Sequence, residues 1–290
     1  MVMKLCEGLH QLRVDFQVTP EIRRFAYIYL MEGASCYLVD SGVGGSEKAI
    51  FSYMEAIGRK PEEIQGIFLT HAHPDHIGSA AGIKELTGCT VYASRGERRW
   101  IEDIDLQFRE RPIPNFHALA GASTRVDTVV KDGDVITPEP GMEIRVVGSR
   151  GHSCDGVSYW LRDREALFTG DAIPAGNDVP IYINRDWSIA TLHRLLDLSP
   201  VRLYCPAWDK VYTGPEGAEA ISRALALIGD IQRAVDAVMN NRPATDRAAL
   251  IGQICTELGM ERFLKNPLFA GTIAAHLPSG MRNVFPERPK

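Results

Sequence analysis

Thr70-His71-Ala72-His73-Pro74-Asp75-His76-Ile77-Gly78 is the stretch on which the reading of this chain turns. Three histidines and one aspartate follow directly on Gly66-Ile67-Phe68-Leu69, a short apolar run that reads as a buried strand. Residues two apart in an extended segment point the same way. His71 and His73 are therefore expected to share one metal ion. Asp75 and His76 then turn the chain and can face a second. Imidazole together with carboxylate suits zinc, iron or manganese, whereas calcium and magnesium prefer shells made of oxygen.

Working outward, apolar runs alternate with helical spacing. Ala26 to Met31 and Ser35 to Val39 read as strands joined by Glu32-Gly33-Ala34. Ser46 to Gly58 and Ser79 to Leu86 read as helices, the second stopped by Gly88. Thr90 to Ala93, Thr128 to Val130, Met142 to Val147, Val157 to Leu161 and Ala166 to Phe168 read as further strands. Trp187 to Leu198 reads as a helix and Val201 to Tyr204 as the last strand. Arg95, Glu97, Arg98 and Arg99 are expected to form a solvated helix face. After Gly214 the character changes. Ile221, Leu225, Ile228, Ile231, Val235 and Val238 lie on one helical face, with Pro215 in the first turn. A second helix is expected from Asp246 to Leu258, closed by Gly259, and a third from Asn266-Pro267.

The quoted run resembles the T-H-x-H-x-D-H motif of the metallo-β-lactamase superfamily. Three later segments resemble that family's other landmarks, in order: Leu38-Val39-Asp40-Ser41-Gly42, Gly151-His152-Ser153 and Phe168-Thr169-Gly170-Asp171-Ala172. The resemblance covers about residues 8 to 213. It implies an α+β four-layer αββα sandwich with a C-terminal helical extension. Residues 1–213 would be the catalytic domain, and residues 214–290 a helical extension over its cleft. It implies the metal ligands His71, His73, Asp75, His76, His152 and Asp171, with Asp171 bridging two divalent ions and Asp40 in a supporting role. Asp155 is read either as a support for a ligand histidine or as a turn residue.

One departure matters. The family usually places its last histidine ligand where this chain reads Cys205-Pro206-Ala207-Trp208-Asp209. Either Asp209 swings in as a carboxylate ligand, or the second site is weak and one metal is held tightly. A second resemblance lies in the tail. Ala275-His276-Leu277-Pro278-Ser279-Gly280-Met281-Arg282 resembles the H-L-x-S-M-R stretch of quinolone-signal thioesterases, with one residue inserted. That resemblance implies His276 and Ser279 as substrate contacts; capping or packing of a terminal helix is the other reading.

A metal can lower the pKa of bound water from ~15.7 to near 7 and can polarise a carbonyl oxygen. Asp75 is placed to orient that water or take its proton. These are parts for hydrolysing a thioester, ester or lactone, in the style of glyoxalase II-like thioesterases. Two other classes compete. One is an iron-dependent redox enzyme of the sulfur dioxygenase kind; the other is a non-catalytic metal-bearing signalling protein.

The 290 residues are 45% hydrophobic and 24% charged, with a net charge of −5. That balance argues against nucleic acid or an anionic membrane as partner and for a small-molecule substrate. The expected location is the cytoplasm, since the sequence shows neither a leader peptide nor a ~20-residue apolar span. The helical tail is compatible with a homodimer. Six scattered cysteines form no Cys-x-x-Cys pair and are expected to be reduced. Cys154 and Cys205 alone lie beside candidate site segments.

Overall fold

The computed structural model describes residues 2–175, 178–241, 243, 246–264 and 266–278. Strands β1 (Val2–Cys6), β2 (Leu9–Thr19), β3 (Ile22–Glu32), β4 (Cys36–Val39), β5 (Ile64–Phe68), β6 (Thr90–Ser94) and β7 (Thr128–Val130) form one sheet in that order. The first four are antiparallel neighbours; β4 to β7 run parallel. Parallel steps need crossover connections. These are α1 (Glu47–Ala56), then α2 (Pro74–Ile77) with α3 (Ala80–Thr87), then α4 (Arg95–Glu102), α5 (Ile104–Glu110) and α6 (Phe116–Ala120).

The second sheet has the order β13-β12-β11-β10-β9-β8. Its strands are β8 (Val135–Glu139), β9 (Met142–Gly148), β10 (Val157–Leu161), β11 (Ala166–Gly170), β12 (Leu203–Pro206) and β13 (Tyr212–Thr213). β11 and β12 are parallel, and α7 (Arg185–Leu196) makes that crossover. Helices α8 (Gly214–Asn240), α9 (Arg247–Leu258) and α10 (Pro267–Ala274) follow.

The strand period of two sorts side chains into three cores. From β3, Tyr29 and Met31 point between the sheets, while Ile28 and Leu30 point out toward α1 and α3. β4 divides the same way, with Tyr37 and Val39 inward and Cys36 and Leu38 outward. In the other sheet Tyr159, Leu161 and Phe168 face inward, whereas Trp160 and Leu167 join the helices α7 to α10. Both faces of the central strands are thus buried, which explains why they read as continuous apolar runs. The result is the expected αββα sandwich. Full burial of each such aromatic or aliphatic side chain is worth roughly 1.5–3 kcal/mol.

The tail helices obey their local signals. Thr213 and Glu216 form a capping box at the start of α8. Ile221, Ile228, Ile231, Val235 and Val238 are buried, while Leu225 is half-buried. Asp246 caps α9, and Gly259 ends it at φ +63°. Asn266 caps α10. None of the described helices is long and apolar enough to cross a membrane.

Three readings shift. β1 and β2 have no counterpart in the sequence reading, because exposed polar side chains dilute their alternation. The strand expected at Val201 to Tyr204 is Leu203–Pro206, and β13 follows it. Arg95, Arg98 and Arg99 are exposed as expected, but Glu97 is 1% exposed and is not part of a solvated face.

Candidate metal centre

The centre lies where chain segments leaving β5, β9, β11 and β12 meet. β5 delivers an extended segment, and His73 occupies the cap position before Pro74 opens the one-turn helix α2. Proline suits that first turn because its missing N–H is unpaired there anyway. The extended part sets His71 and His73 side by side, with Nε2 of the first 3.0 Å from Nδ1 of the second. The turn then carries Asp75 and His76 around the corner. His152 comes from the β9–β10 loop, and its Nε2 lies 2.9 Å from His73 Nδ1. Asp171 follows β11; its Oδ2 lies 3.3 Å from His152 Nε2, 3.4 Å from His76 Nε2 and 3.9 Å from His71 Nε2.

Two donor sets result. One is His71, His73, His152 and Asp171; the other is Asp75, His76 and Asp171. A tetrahedral ion with bonds of 2.0–2.1 Å wants its donors about 3.3 Å apart, near the spacings of the first set. Hydrogen bonds on the far side of the rings fix which nitrogen is bare. His152 Nδ1 donates to the Ile181 carbonyl at 2.8 Å, and His76 Nδ1 donates to Asp40 at 2.8 Å. His71 Nδ1 donates to the Thr70 hydroxyl at 3.0 Å, and that hydroxyl donates to Asp40. Nε2 of all three rings is thereby left as an acceptor turned inward. Acceptors within about 3 Å of one another repel unless a cation lies between them. His76 Nε2 and Asp171 Oδ1 are also buried without a hydrogen-bond partner. The donor set therefore fits a divalent metal.

The electrostatics agree. Burial, reinforced by neighbouring imidazoles and the Arg111 guanidinium, pushes His71 and His73 well below the usual histidine range. Burial also lowers His152, against the pull of Asp171. Neutral imidazole is the form that ligates. Burial raises Asp75, helped by the nearby Asp171 charge. Burial opposes ionisation of Asp171 too, but His76 and His152 outweigh it and hold that carboxyl low.

Asp40 anchors the arrangement. It sits at φ +60°, a left-handed conformation that aspartate tolerates better than most residues. Its carboxylate accepts from the Thr70 amide at 2.8 Å besides the Thr70 hydroxyl and His76. Gly170 is required where β11 meets this loop. It has φ +51°, and a Cβ there would lie 2.6 Å from Thr70 Oγ1.

Glu97 is a second anchor, missed because nothing in its helix distinguishes it from its charged neighbours. Its carboxylate accepts from the amides of Ala72, between His71 and His73, and Asp155, in the His152 loop. Glu97→Ala is expected to cost about 2–3 kcal/mol, since it strands two buried donors. It is also expected to weaken metal binding about 10- to 100-fold. Denaturant unfolding and chelator competition read these two effects separately. Asp155 itself accepts from the Gly96 amide, so its contact is to the α4 start and not to a ligand ring.

The other expected residues lie elsewhere. Asp209 is not brought to either donor set. Its carboxylate accepts from the Tyr212 hydroxyl and the Lys210 amide. Trp208 faces the centre instead, its indole Nε1 donating to Asp75 Oδ2 at 3.0 Å. Cys205 is buried between the sheets, and Cys154 contacts Glu97 and the Gly96 carbonyl. Ser279 lies outside the described residues. His276 packs α10 down: it accepts from the Tyr182 hydroxyl at 2.7 Å, and its Nδ1 donates to Gln232 at 2.9 Å.

Burial lowers the pKa of His276 to about 4. The neutral form is therefore favoured in the fold. Its contribution is complete above pH ~6.5 and is lost as pH falls toward 4, by up to about 3 kcal/mol. His276→Gln should flatten that part of the stability curve, read by urea unfolding at pH 7.5 and 4.5.

The centre opens onto a cleft of about 340 Å³. Phe16, Val18 and Ile22 of the β2–β3 hairpin and Leu268 of α10 make it apolar, and Arg24, Arg111 and Arg262 line it with positive charge. A larger open groove of about 710 Å³ lies on the other side of the His152 loop and contains none of the donor groups.

The chain is similar in sequence and in fold to several known proteins. Over 215 residues the chain is 27% identical to a hydroxyacylglutathione hydrolase of Brucella anthropi, covering 72% of this chain and 71% of that one. It is 26% identical to a probable metallo-hydrolase, YqgX, of Bacillus subtilis, covering 51% and 65%. It is also 26% identical to a beta-lactamase-like protein 2 homolog of Caenorhabditis elegans, covering 62% and 55%. The chain thus spans little more than half to two-thirds of the last two relatives. The fold matches a metallo-beta-lactamase family protein of Thermus thermophilus with a TM-score of 0.73 at 20% identity, over 94% of this chain and 93% of that one. A beta-lactamase domain protein of Burkholderia ambifaria superposes with a TM-score of 0.74 at 18% identity, over 95% and 87%. The model of the metallo-beta-lactamase superfamily matches residues 22–208, which include both donor sets, and the chain belongs to that superfamily.

Proposed function

We propose that this chain is a metal-dependent hydrolase that cleaves a thioester, ester or lactone. The observation that carries the reading is the pair of donor sets sharing Asp171 at the floor of an apolar, arginine-bearing cleft. In this reading His71, His73, His152 and Asp171 hold one divalent ion, and Asp75, His76 and Asp171 hold a second. Zinc, iron and manganese all suit these donors. Ions bound there supply an acidified water and polarisation of the scissile carbonyl.

The chain's own groups do the rest. Asp75 lies at the cleft floor and accepts the proton that the attacking water loses. That proton then goes to the leaving thiol or alcohol. Phe16, Val18 and Ile22 exclude water around an acyl group, and the arginines suit an anionic leaving portion. Residues 1–213 carry the chemistry, and the extension from 214 onward contributes Arg262, Asn266 and Leu268 to the cleft wall.

The test is anaerobic purification with metal quantification, followed by acyl-CoA, acyl-glutathione and lactone substrates. Turnover that a chelator abolishes and added metal restores is expected. Iron as the sole metal, together with oxygen consumption on persulfides and no hydrolysis, would replace this reading with the oxygenase one. Full hydrolysis by a His152→Ala chain would refute the site.

A further inference from the structure

We propose that Trp208 makes the two donor sets unequal, so that one metal is held tightly and the other weakly, while its indole N–H orients the Asp75 carboxylate. The inference rests on the metal-hydrolase reading above and deepens it.

The sets differ in number of donors. The first has four, and two of its three imidazoles have their far nitrogens hydrogen-bonded. The second has three, one of which is shared with the first. The loop after β12 reaches Asp75 and is a place from which a fourth donor could come. That loop presents Trp208. An indole N–H is a donor only and has no lone pair for a cation. It donates to Asp75 Oδ2 from 3.0 Å, and that oxygen is the one 3.7 Å from His76 Nε2, so a proton stands against the carboxylate on the second set's side.

The two side chains that could change this are both committed. Asp209, the next residue, is tied to Tyr212 and Lys210. Trp208 is itself backed by the Arg24 guanidinium, 5.4 Å from its ring, and Arg24 is paired with Asp178. The indole is therefore held in place. Trp208 is thus a positioning residue: it orients the Asp75 carboxylate.

Full-length wild type, Trp208→His, Trp208→Phe and Asp75→Asn chains would be dialysed against buffered nanomolar free zinc and their bound zinc counted. Thermal melts confirm that each is folded. Wild type is expected to keep about one zinc and to take a second only at much higher zinc, because the second set has fewer donors, shares Asp171 with the first and has an indole N–H aimed at its Asp75. Trp208→His is expected to keep about two. Trp208→Phe should still keep about one, with kcat on a thioester lowered about 10- to 100-fold and KM changed less than about threefold. Asp75→Asn should keep the tight zinc and lose turnover.

Two zinc ions of equal affinity in the wild type would overturn the proposal. So would a Trp208→His chain that stays at one, or a Trp208→Phe chain with wild-type kcat. Those results leave the hydrolase reading standing if hydrolysis persists. A wild type that binds no zinc, iron or manganese overturns both.

Discussion

Exchanging Asp171 for asparagine is expected to weaken metal holding in both donor sets and to lower turnover on the order of a thousand-fold, beyond the 10- to 100-fold typical of outer partners. Asp171 is the one residue common to both donor sets. Its Oδ2 lies within 4 Å of His71, His76 and His152. Asparagine keeps the size and one acceptor but removes the charge. The first set would then be three neutral imidazoles, and the second would keep only Asp75 as a charged ligand. Metal content after dialysis and thioester turnover would be measured on the same preparation. An asparagine variant with wild-type metal content and rate would show that the carboxylate is not the shared ligand.

Removing the Asp40 carboxylate is expected to destabilise the fold by about 3–5 kcal/mol, the cost of breaking a buried charged network from one side. Three donors depend on it: the Thr70 amide, the Thr70 hydroxyl and His76 Nδ1. In a chain of this size that corresponds to a melting point lower by about 10 °C. Asp40→Ala should show the full loss, and it should also let the His76 ring turn, so metal affinity falls with stability. Asp40→Asn should be milder, because asparagine tolerates φ +60° and still accepts from Thr70. Equal melting points for the two variants would mean that the hydrogen bonds asparagine keeps contribute nothing to stability.

Much of the sandwich was legible because its strands are buried on both faces, which leaves dense apolar runs. Val157–Leu161 and Thr128–Val130 end where their composition ends. The tail helices were legible for a different reason: Asp246, Gly259 and Asn266 are capping residues whose backbone preferences act locally. β1 and β2 were not, because a partly exposed hairpin needs no such pattern. Glu97 illustrates the same limit within the site. It sits among arginines on a short helix, and only the packing of α4 against the segment after β5 turns it inward.

Local chemistry alone determined the donor-rich run His71 to His76, the side shared by His71 and His73, and the helix boundaries of the tail. These depend on backbone periodicity and on side-chain donors a few residues apart. The tertiary structure decided whatever requires distant segments to meet. It joined His152 and Asp171 to the run, bound Asp40 behind it and braced it with Glu97. It also turned Asp209 to Tyr212 and put the Trp208 indole on Asp75. Residue 208 and residue 75 are 133 positions apart, and no spacing rule links them. Their contact exists because strand ends from both sheets converge on one edge, and that convergence is set by packing across the whole sandwich.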